Sequence, residues 1–291
     1  VTSETYDLKT VLWRAVSTLK KAGIEDAVAD SRILAAENFG LRREDMLRSP
    51  DMLLDCVSVA AFERSIARRA AHEPVSRILG RREFRSLDFE IGPATLDPRP
   101  DSETIVEAVL DIAADMKPNL RVLDIGTGSG CLLLSILHEL PAAHGLGTDI
   151  DAGAIFCAGC NAHALGLAGR VEFRRTNWVD GVDGPFEIVL SNPPYIRTGD
   201  IPGLASEVAK YDPTVALDGG KDGLDAYRAL STCISPIVAP AGAVVLEIGA
   251  GQEADVETIF TSTGFGLAGK RADLAGRNRA MIFGRTPRSN V

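Results

Sequence analysis

The residues most able to do chemistry are Asn192-Pro193-Pro194-Tyr195, which directly follow the apolar run Phe186–Ser191. A side-chain amide oxygen and a backbone carbonyl, held side by side by two stiff prolines, form a pair of fixed acceptors. Such a pair suits a planar –NH2 group, whose two hydrogens need two acceptors and whose lone pair is otherwise delocalised. Asn192 supplies the side-chain oxygen and Pro193 the carbonyl. Tyr195 offers a flat face to a planar substrate. Asn-Pro also marks ordinary turns, so this motif needs a partner before it means more.

That partner is Leu123-Asp124-Ile125-Gly126-Thr127-Gly128-Ser129-Gly130, a glycine-rich loop between an apolar run and a helical pattern. Glycines let a backbone turn tightly and approach a ligand closely. The spacing is G-x-G-x-G. It lacks the third glycine of the dinucleotide fingerprint, because Cys131 stands there, and no phosphate-loop G-x-x-x-x-G-K-[ST] is present. The loop resembles motif I of the Rossmann-like methyltransferases, which implies S-adenosyl-L-methionine as cofactor. Asp149, at the end of the next apolar run, is placed to accept both ribose hydroxyls. Asp151 reads instead as the cap of the following helix. Trp178 either packs on the adenine or belongs to the core. Asn177 stands where many relatives carry Asp.

These residues require a scaffold. From Arg121 onward, apolar strand-like runs alternate with helical patterns, which predicts a parallel, doubly wound sheet whose ligands sit beyond the strand carboxyl ends. Strands are expected at 121–125, 144–149, 171–174, 186–191, 243–248, 265–271 and 279–284. Ahead of them, Leu8, Val11, Leu12, Ala15 and Leu19 recur at helical spacing after Asp7. Further helices are expected near 28–39 and 58–71. Phe84, Leu87, Phe89 and Ile91 partly alternate and predict a hairpin. The organisation expected is therefore a helical domain over 1–73, a β-hairpin linker over 74–100 and an α/β domain over 101–291. The stretch 196–222 is long for a connection and reads as a lid or substrate loop, or as a disordered insertion.

Composition sets limits. The 291 residues are 45% hydrophobic and 24% charged, with a net charge of −9, ordinary values for a globular protein. The acidic balance weighs against a protein that grips long duplexes by their phosphates. Arginines gather in 64–85 (Arg64, Arg68, Arg69, Arg77, Arg81, Arg82 and Arg85), which reads as a solvated helix and linker face. Cys157 and Cys160 form a C-x-x-C without a second ligand pair, and read as two small helix residues rather than a metal site. No signal segment or membrane-length apolar run is visible, so a cytoplasmic location is expected.

The combination of motifs resembles the HemK/PrmC family of peptide chain release factor N5-glutamine methyltransferases. The likeness runs through Glu73-Pro74-Val75 with Gly80 and Phe84, Pro98-Arg99-Pro100-Asp101-Ser102-Glu103, the glycine loop and Asn192–Tyr195. It continues through Asp218-Gly219-Gly220 with Asp222-Gly223-Leu224, then Leu246-Glu247-Ile248-Gly249 and Asn278-Arg279. The resemblance implies a seven-stranded, Rossmann-like class I methyltransferase domain with a small N-terminal helical bundle that recognises substrate. It implies Gly126, Thr127, Gly128, Ser129, Gly130, Asp149, Trp178 and Asn192 as cofactor-binding residues. Asn192, Pro193 and Tyr195 would be catalytic. Asn192, Pro193, Pro194 and Tyr195 would hold the glutamine of a Gly-Gly-Gln loop, with Arg99 and Glu103 as supports. The implied partners are bacterial class I release factors, without metal, membrane or direct nucleic-acid binding. Asp97 departs from the aliphatic residue usual in relatives. The alternatives that share the motif are a glutamine methyltransferase of a large-subunit ribosomal protein and an adenine-N6 DNA methyltransferase acting on a flipped base.

Overall fold

Asp7 starts the first helix, Leu8–Lys21, by accepting the Thr10 N–H at 2.8 Å. The computed structural model describes residues 6–286, so the outer ends of the first and last expected domains, 1–5 and 287–291, lie outside the described residues. Leu8, Val11, Ala15 and Leu19 bury one face of that helix, as their spacing predicts. Helices follow at Ala27–Phe39, Arg43–Arg48, Cys56–Ala70 and Val75–Leu79. Asp55 caps the fourth by accepting from Val57 and Ser58, while Gly40 and Gly80 end their helices in the left-handed conformation. Two compact units result. One comprises the chain up to Arg81 together with Ala205–Tyr211; the other comprises Arg82–Leu204 and the chain from Asp212. The core of the first is built from Leu8, Leu19, Leu34, Phe62 and their neighbours. The helix Ser206–Tyr211 belongs to it, with Glu207 paired to Arg69 at 2.6 Å.

The clustered arginines are largely neutralised locally. Arg68 pairs with Glu73, Arg69 with Asp30 and Glu207, Arg81 with Glu37, Arg82 with Asp97 and Arg85 with Glu107.

The hairpin Arg81–Phe84/Leu87–Glu90 belongs to the second unit except for its first residue. Its two turn residues, Arg85 and Ser86, both take positive φ, 49° and 60°, the geometry that matches strand twist. Glycine or asparagine usually fills such positions, so the sequence carries no turn signal there. The segment preceding it, Val75–Leu79, is helical rather than extended.

Seven strands form the main sheet: β1 (Arg121–Ile125), β2 (His144–Asp149), β3 (Val171–Arg175), β4 (Phe186–Ser191), β5 (Val238–Glu247), β6 (Phe265–Ala272) and β7 (Asn278–Arg285). Their order is β6-β7-β5-β4-β1-β2-β3, the seven-stranded Rossmann-like arrangement of class I methyltransferases. The five strands β1 to β5 run parallel. The expectation of a wholly parallel sheet is corrected by β7, which pairs antiparallel with β5 and with β6. The connection Asp273–Arg277 closes as a tight turn, with Asp273 N–H donating to the Arg277 carbonyl at 2.8 Å. A parallel pairing would need a crossover of a dozen or more residues.

Side chains alternate across the sheet. On β5, Val245 joins one core with the helices Glu103–Ala114 and Cys131–Glu139. Val244 and Leu246 join the other, with Asp225–Cys233 and Glu253–Ser262. The C-x-x-C lies on the helix Ala152–Ala164, where the Cys157 thiol donates to the Glu90 carbonyl. Among the described residues no helix is long and apolar enough to cross a membrane.

Candidate active site

The strand carboxyl ends of β1 to β4 surround a cavity of about 480 Å³, within the range of small-molecule sites. Its floor is the glycine loop. Gly126 and Gly128 take φ of 75° and 56°, conformations that L-residues rarely adopt. The Gly126 and Thr127 N–H groups donate to the Thr148 carbonyl at 2.8 and 2.9 Å, tying the loop to β2. The Thr127 hydroxyl donates to the buried Asp124 carboxyl at 2.7 Å. Burial pushes Asp124 up to about 7, with Asp149 adding to the effect.

Asp149 holds two backbone donors, Gly128 N–H on Oδ2 and Asp151 N–H on Oδ1, both at 2.9 Å. Each oxygen keeps a second lone pair for a ligand. Burial raises the pKa of this acid, and the backbone donors oppose the rise. Asp151 does cap the next helix, through Gly153 N–H at 2.6 Å.

The expected cofactor residues Gly126, Thr127, Gly128, Ser129, Asp149 and Trp178 all line the cavity, as does Asn177. Trp178 lines the cavity and also packs against the core. Gly130 does not line it. Its glycine character serves the backbone and the packing, because its φ is 79° and a Cβ there would stand 3.1 Å from the Leu134 side chain and 3.2 Å from Ala158. The residues present fit S-adenosyl-L-methionine: an open glycine turn, a half-desolvated carboxylate for a diol and an indole in one wall.

Asn192, Pro193 and Pro194 form the adjacent wall. The Asn192 Nδ2 donates to the Ser102 Oγ at 3.3 Å. Among the described residues no group donates to Asn192 Oδ1 or to the Pro193 carbonyl. Tyr195 is not part of the cavity lining. It packs against the core, and its hydroxyl donates to Glu247 Oε1 at 3.2 Å. Arg99 lines the cavity with its guanidinium on the buried Asp212 carboxylate at 2.5 Å, while Glu103 begins the helix Glu103–Ala114 away from it. The unusual Asp97 is buried as well. Its N–H donates to Asp212 at 3.3 Å, and its carboxylate lies 3.9 Å from Arg82.

Sequence reasoning missed the groups behind this wall. Gln252 Nε2 donates to the Tyr195 carbonyl at 3.0 Å and to Gly223 at 3.2 Å, while its Oε1 accepts Gly249 N–H at 3.0 Å. Gly219 lies so close that a Cβ would stand 2.8 Å from the Pro194 carbonyl oxygen. The 196–222 stretch carries the helix Ser206–Tyr211 and the 3-10 turns Thr198–Gly203 and Thr214–Ala216. The Ile196 N–H donates to the Leu217 carbonyl, the Ile196 carbonyl accepts the Gly219 N–H, and Val215, Ala216 and Asp218 line the cavity. The signal for Glu247 was legible: a carboxylate inside an apolar strand must find partners.

Comparison with known proteins agrees with this geometry. Residues 10–80 match the PrmC N-terminal domain, and residues 105–210 match the methyltransferase small domain. A release factor glutamine methyltransferase of Rhodospirillum rubrum is 45% identical over 272 residues, covering 94% of this chain and 83% of that protein. One from Bradyrhizobium diazoefficiens is 43% identical, covering 92% of each. A solved methyltransferase from Pyrococcus furiosus shares the fold, with a TM-score of 0.50 at 18% identity over 69% of this chain and 89% of that one. The chain belongs to the release factor glutamine methyltransferase family, HemK/PrmC.

Proposed function

We propose that this enzyme transfers a methyl group from S-adenosyl-L-methionine to the side-chain amide nitrogen, N5, of the glutamine in the Gly-Gly-Gln motif of bacterial class I release factors. The observation that carries the reading is the pair of undonated oxygens, Asn192 Oδ1 and the Pro193 carbonyl, on a wall continuous with the glycine loop. When bound, the cofactor supplies a methyl group on a positively charged sulfur, already activated for displacement.

The chain's own residues do the rest. Two acceptors hold the two amide hydrogens and so fix the plane of a weak nucleophile. Successive prolines keep those acceptors from drifting, and small misplacement costs rate steeply. The nitrogen gains positive charge as the bond forms, so carbonyl dipoles aimed at its hydrogens favour the transition state over the ground state. The spent proton leaves afterwards, and no strong base is needed for the transfer. No metal is needed either, because the electrophile is already cationic. Asp149 and the glycine loop hold the cofactor, with Trp178 beside the adenine. Tyr195 supports the wall from behind.

Paired arginines in 64–85 and an acidic chain favour a protein substrate over a duplex. A substrate engaged in translation places the enzyme in the cytoplasm. The test is methyl transfer from labelled cofactor to a release factor, a ribosomal protein and duplex DNA in parallel. Methylation is expected on the release factor glutamine alone. Asn192→Ala is expected to abolish it while cofactor binding by calorimetry persists. Near-normal turnover in that variant would refute the acceptor role.

A further inference from the structure

We propose that Glu247 is a positioning residue, whose carboxylate, acting through the Ser102 hydroxyl, fixes which end of the Asn192 side-chain amide faces the substrate. The inference rests on the reading of Asn192 Oδ1 as an acceptor for the substrate amide.

The two ends of an asparagine amide are nearly the same shape, and only their partners distinguish them. Asn192 Nδ2 donates to Ser102 Oγ at 3.3 Å. A hydroxyl that receives a hydrogen on its oxygen still has its own to give. Beside it stands Glu247, 2% exposed at the end of β5. Glu247 Oε1 accepts the Tyr195 hydroxyl at 3.2 Å. Its Oε2 is fully buried without a partner at bonding distance, and the Ser102 hydroxyl is the neighbouring donor that holds the pKa of this carboxyl down. An ionised carboxylate can only accept. With the Ser102 hydroxyl turned toward the orphaned Oε2, the row takes one polarity: the Asn192 amide gives to Ser102, Ser102 gives to Glu247, and Oδ1 is left for the cavity.

A protonated Glu247 can reverse the row. It can donate to Ser102 Oγ, whose hydrogen then turns toward Asn192 and favours the amide oxygen on that side. The Asn192 NH2 would then face the substrate NH2, donor against donor. Burial raises Glu247 to about 7. Ser102, Tyr195 and Arg279 oppose the rise, and Asp101 adds to it. The other groups around it do not replace its role. Arg279 is held by Asp101 at 3.0 Å and Asp273 at 3.2 Å. Tyr227 donates to the Glu247 backbone carbonyl at 3.0 Å. The Cys131 thiol is pushed up to about 12 by burial and stays neutral. Asp124, also near 7, lies in the glycine loop with Thr127.

The test measures kcat and KM on a Gly-Gly-Gln release factor across pH 5.5 to 9, with S-adenosylhomocysteine affinity by calorimetry as a separate readout. Wild-type kcat is expected to rise as one group near pH 7 loses its proton. Glu247→Gln, which can donate at any pH, is expected to lower kcat by about 10- to 100-fold and to flatten that limb. Release factor KM and S-adenosylhomocysteine affinity stay within about threefold. Glu247→Asp restores part of the limb, Ser102→Ala flattens it, and Asp124→Asn retains it. The proposal is overturned by a Glu247→Gln enzyme with wild-type kcat, by a pH-independent fall that leaves the limb in place, or by a fall that tracks lost S-adenosylhomocysteine affinity. Should Glu247→Gln not fold, Ser102→Ala carries the same decision, since an unchanged limb there excludes the relay. Wild-type protein that methylates no release factor defeats the proposed function instead, a result visible before any variant is made.

Discussion

Gln252 donates from Nε2 to the Tyr195 backbone carbonyl at 3.0 Å, while its Oε1 accepts the Gly249 N–H at 3.0 Å. One side chain thereby fastens the end of the Asn-Pro-Pro-Tyr turn to the turn after β5. Gln252→Ala leaves these backbone groups unpaired in a partly buried place, at a cost of about 1–3 kcal/mol. The expected outcome is a melting temperature lower by several degrees, a reduced kcat and little change in cofactor affinity. Gln252→Glu is expected to fail similarly, because a carboxylate cannot donate to the Tyr195 and Gly223 carbonyls. Calorimetry and steady-state kinetics on both variants check this.

Gly219 faces the same turn from the other side. A Cβ there would lie 2.8 Å from the Pro194 oxygen, 2.9 Å from Tyr195 Cα and 3.0 Å from the Gly223 carbonyl carbon. All three are backbone atoms, so the neighbours cannot rotate away. Gly219→Ala is expected to lower kcat at least about tenfold by displacing the acceptors, with cofactor binding preserved. Wild-type turnover in Gly219→Ala would show that the segment yields without moving the turn.

Asp149→Asn keeps the shape of the side chain but exchanges one acceptor oxygen for a donor. Either Gly128 or Asp151 loses its partner, and so does one ligand hydroxyl. Hydrogen bonds to a charged acceptor contribute about 1.5–3 kcal/mol each, so cofactor affinity is expected to fall by about 10- to 100-fold. Titration calorimetry reads this directly, and unchanged affinity would remove Asp149 from the cofactor site.

Asp124 and Glu247 are both raised by burial to about 7, from 3.8 and 4.5. The folded protein thus holds these protons more tightly than the unfolded chain. The resulting stabilisation is fully present below the unfolded values near 4, and is lost as pH rises through about 7. Stability is expected to fall as pH rises from about 4 to about 7, by an amount on the order of a few kcal/mol, and to level off above that. Glu247→Gln should melt with a shallower pH dependence. Denaturation at several pH values distinguishes this from a uniform shift.

Local pattern made much of this molecule legible in advance. The runs ending at Ile125 and Ser191 become β1 and β4, because strands buried on both faces read as largely apolar stretches, while β2, with the sequence His-Gly-Leu-Gly-Thr-Asp, was legible from its place between two helical patterns. The glycine loop and Asn192 could be paired because parallel sheets gather ligands at one end. Other features lay beyond local reading. The antiparallel β7 depends on a turn at Asp273–Arg277 rather than on strand composition. The Arg85-Ser86 turn uses residue types that carry no turn signal. Tyr195 does not line the cavity, and its hydroxyl finds Glu247, a residue distant in the chain. Side-chain pairings across such separations have no periodicity to betray them. A carboxylate within Val244-Val245-Leu246-Glu247-Ile248 announces only that some partner exists.

The helix Ser206–Tyr211 belongs to the helical unit, where Glu207 pairs with Arg69 and the Tyr211 hydroxyl donates to the Ala71 carbonyl at 3.4 Å. A single cut after Arg81 therefore does not excise an intact module. The fragment so made would lack a stretch encoded far downstream and would strip one of the two acids from Arg69. Anyone grafting this helical unit onto another methyltransferase has to transplant two pieces of gene, and an exchange of specificity by recombination at one crossover would deliver a mismatched pair.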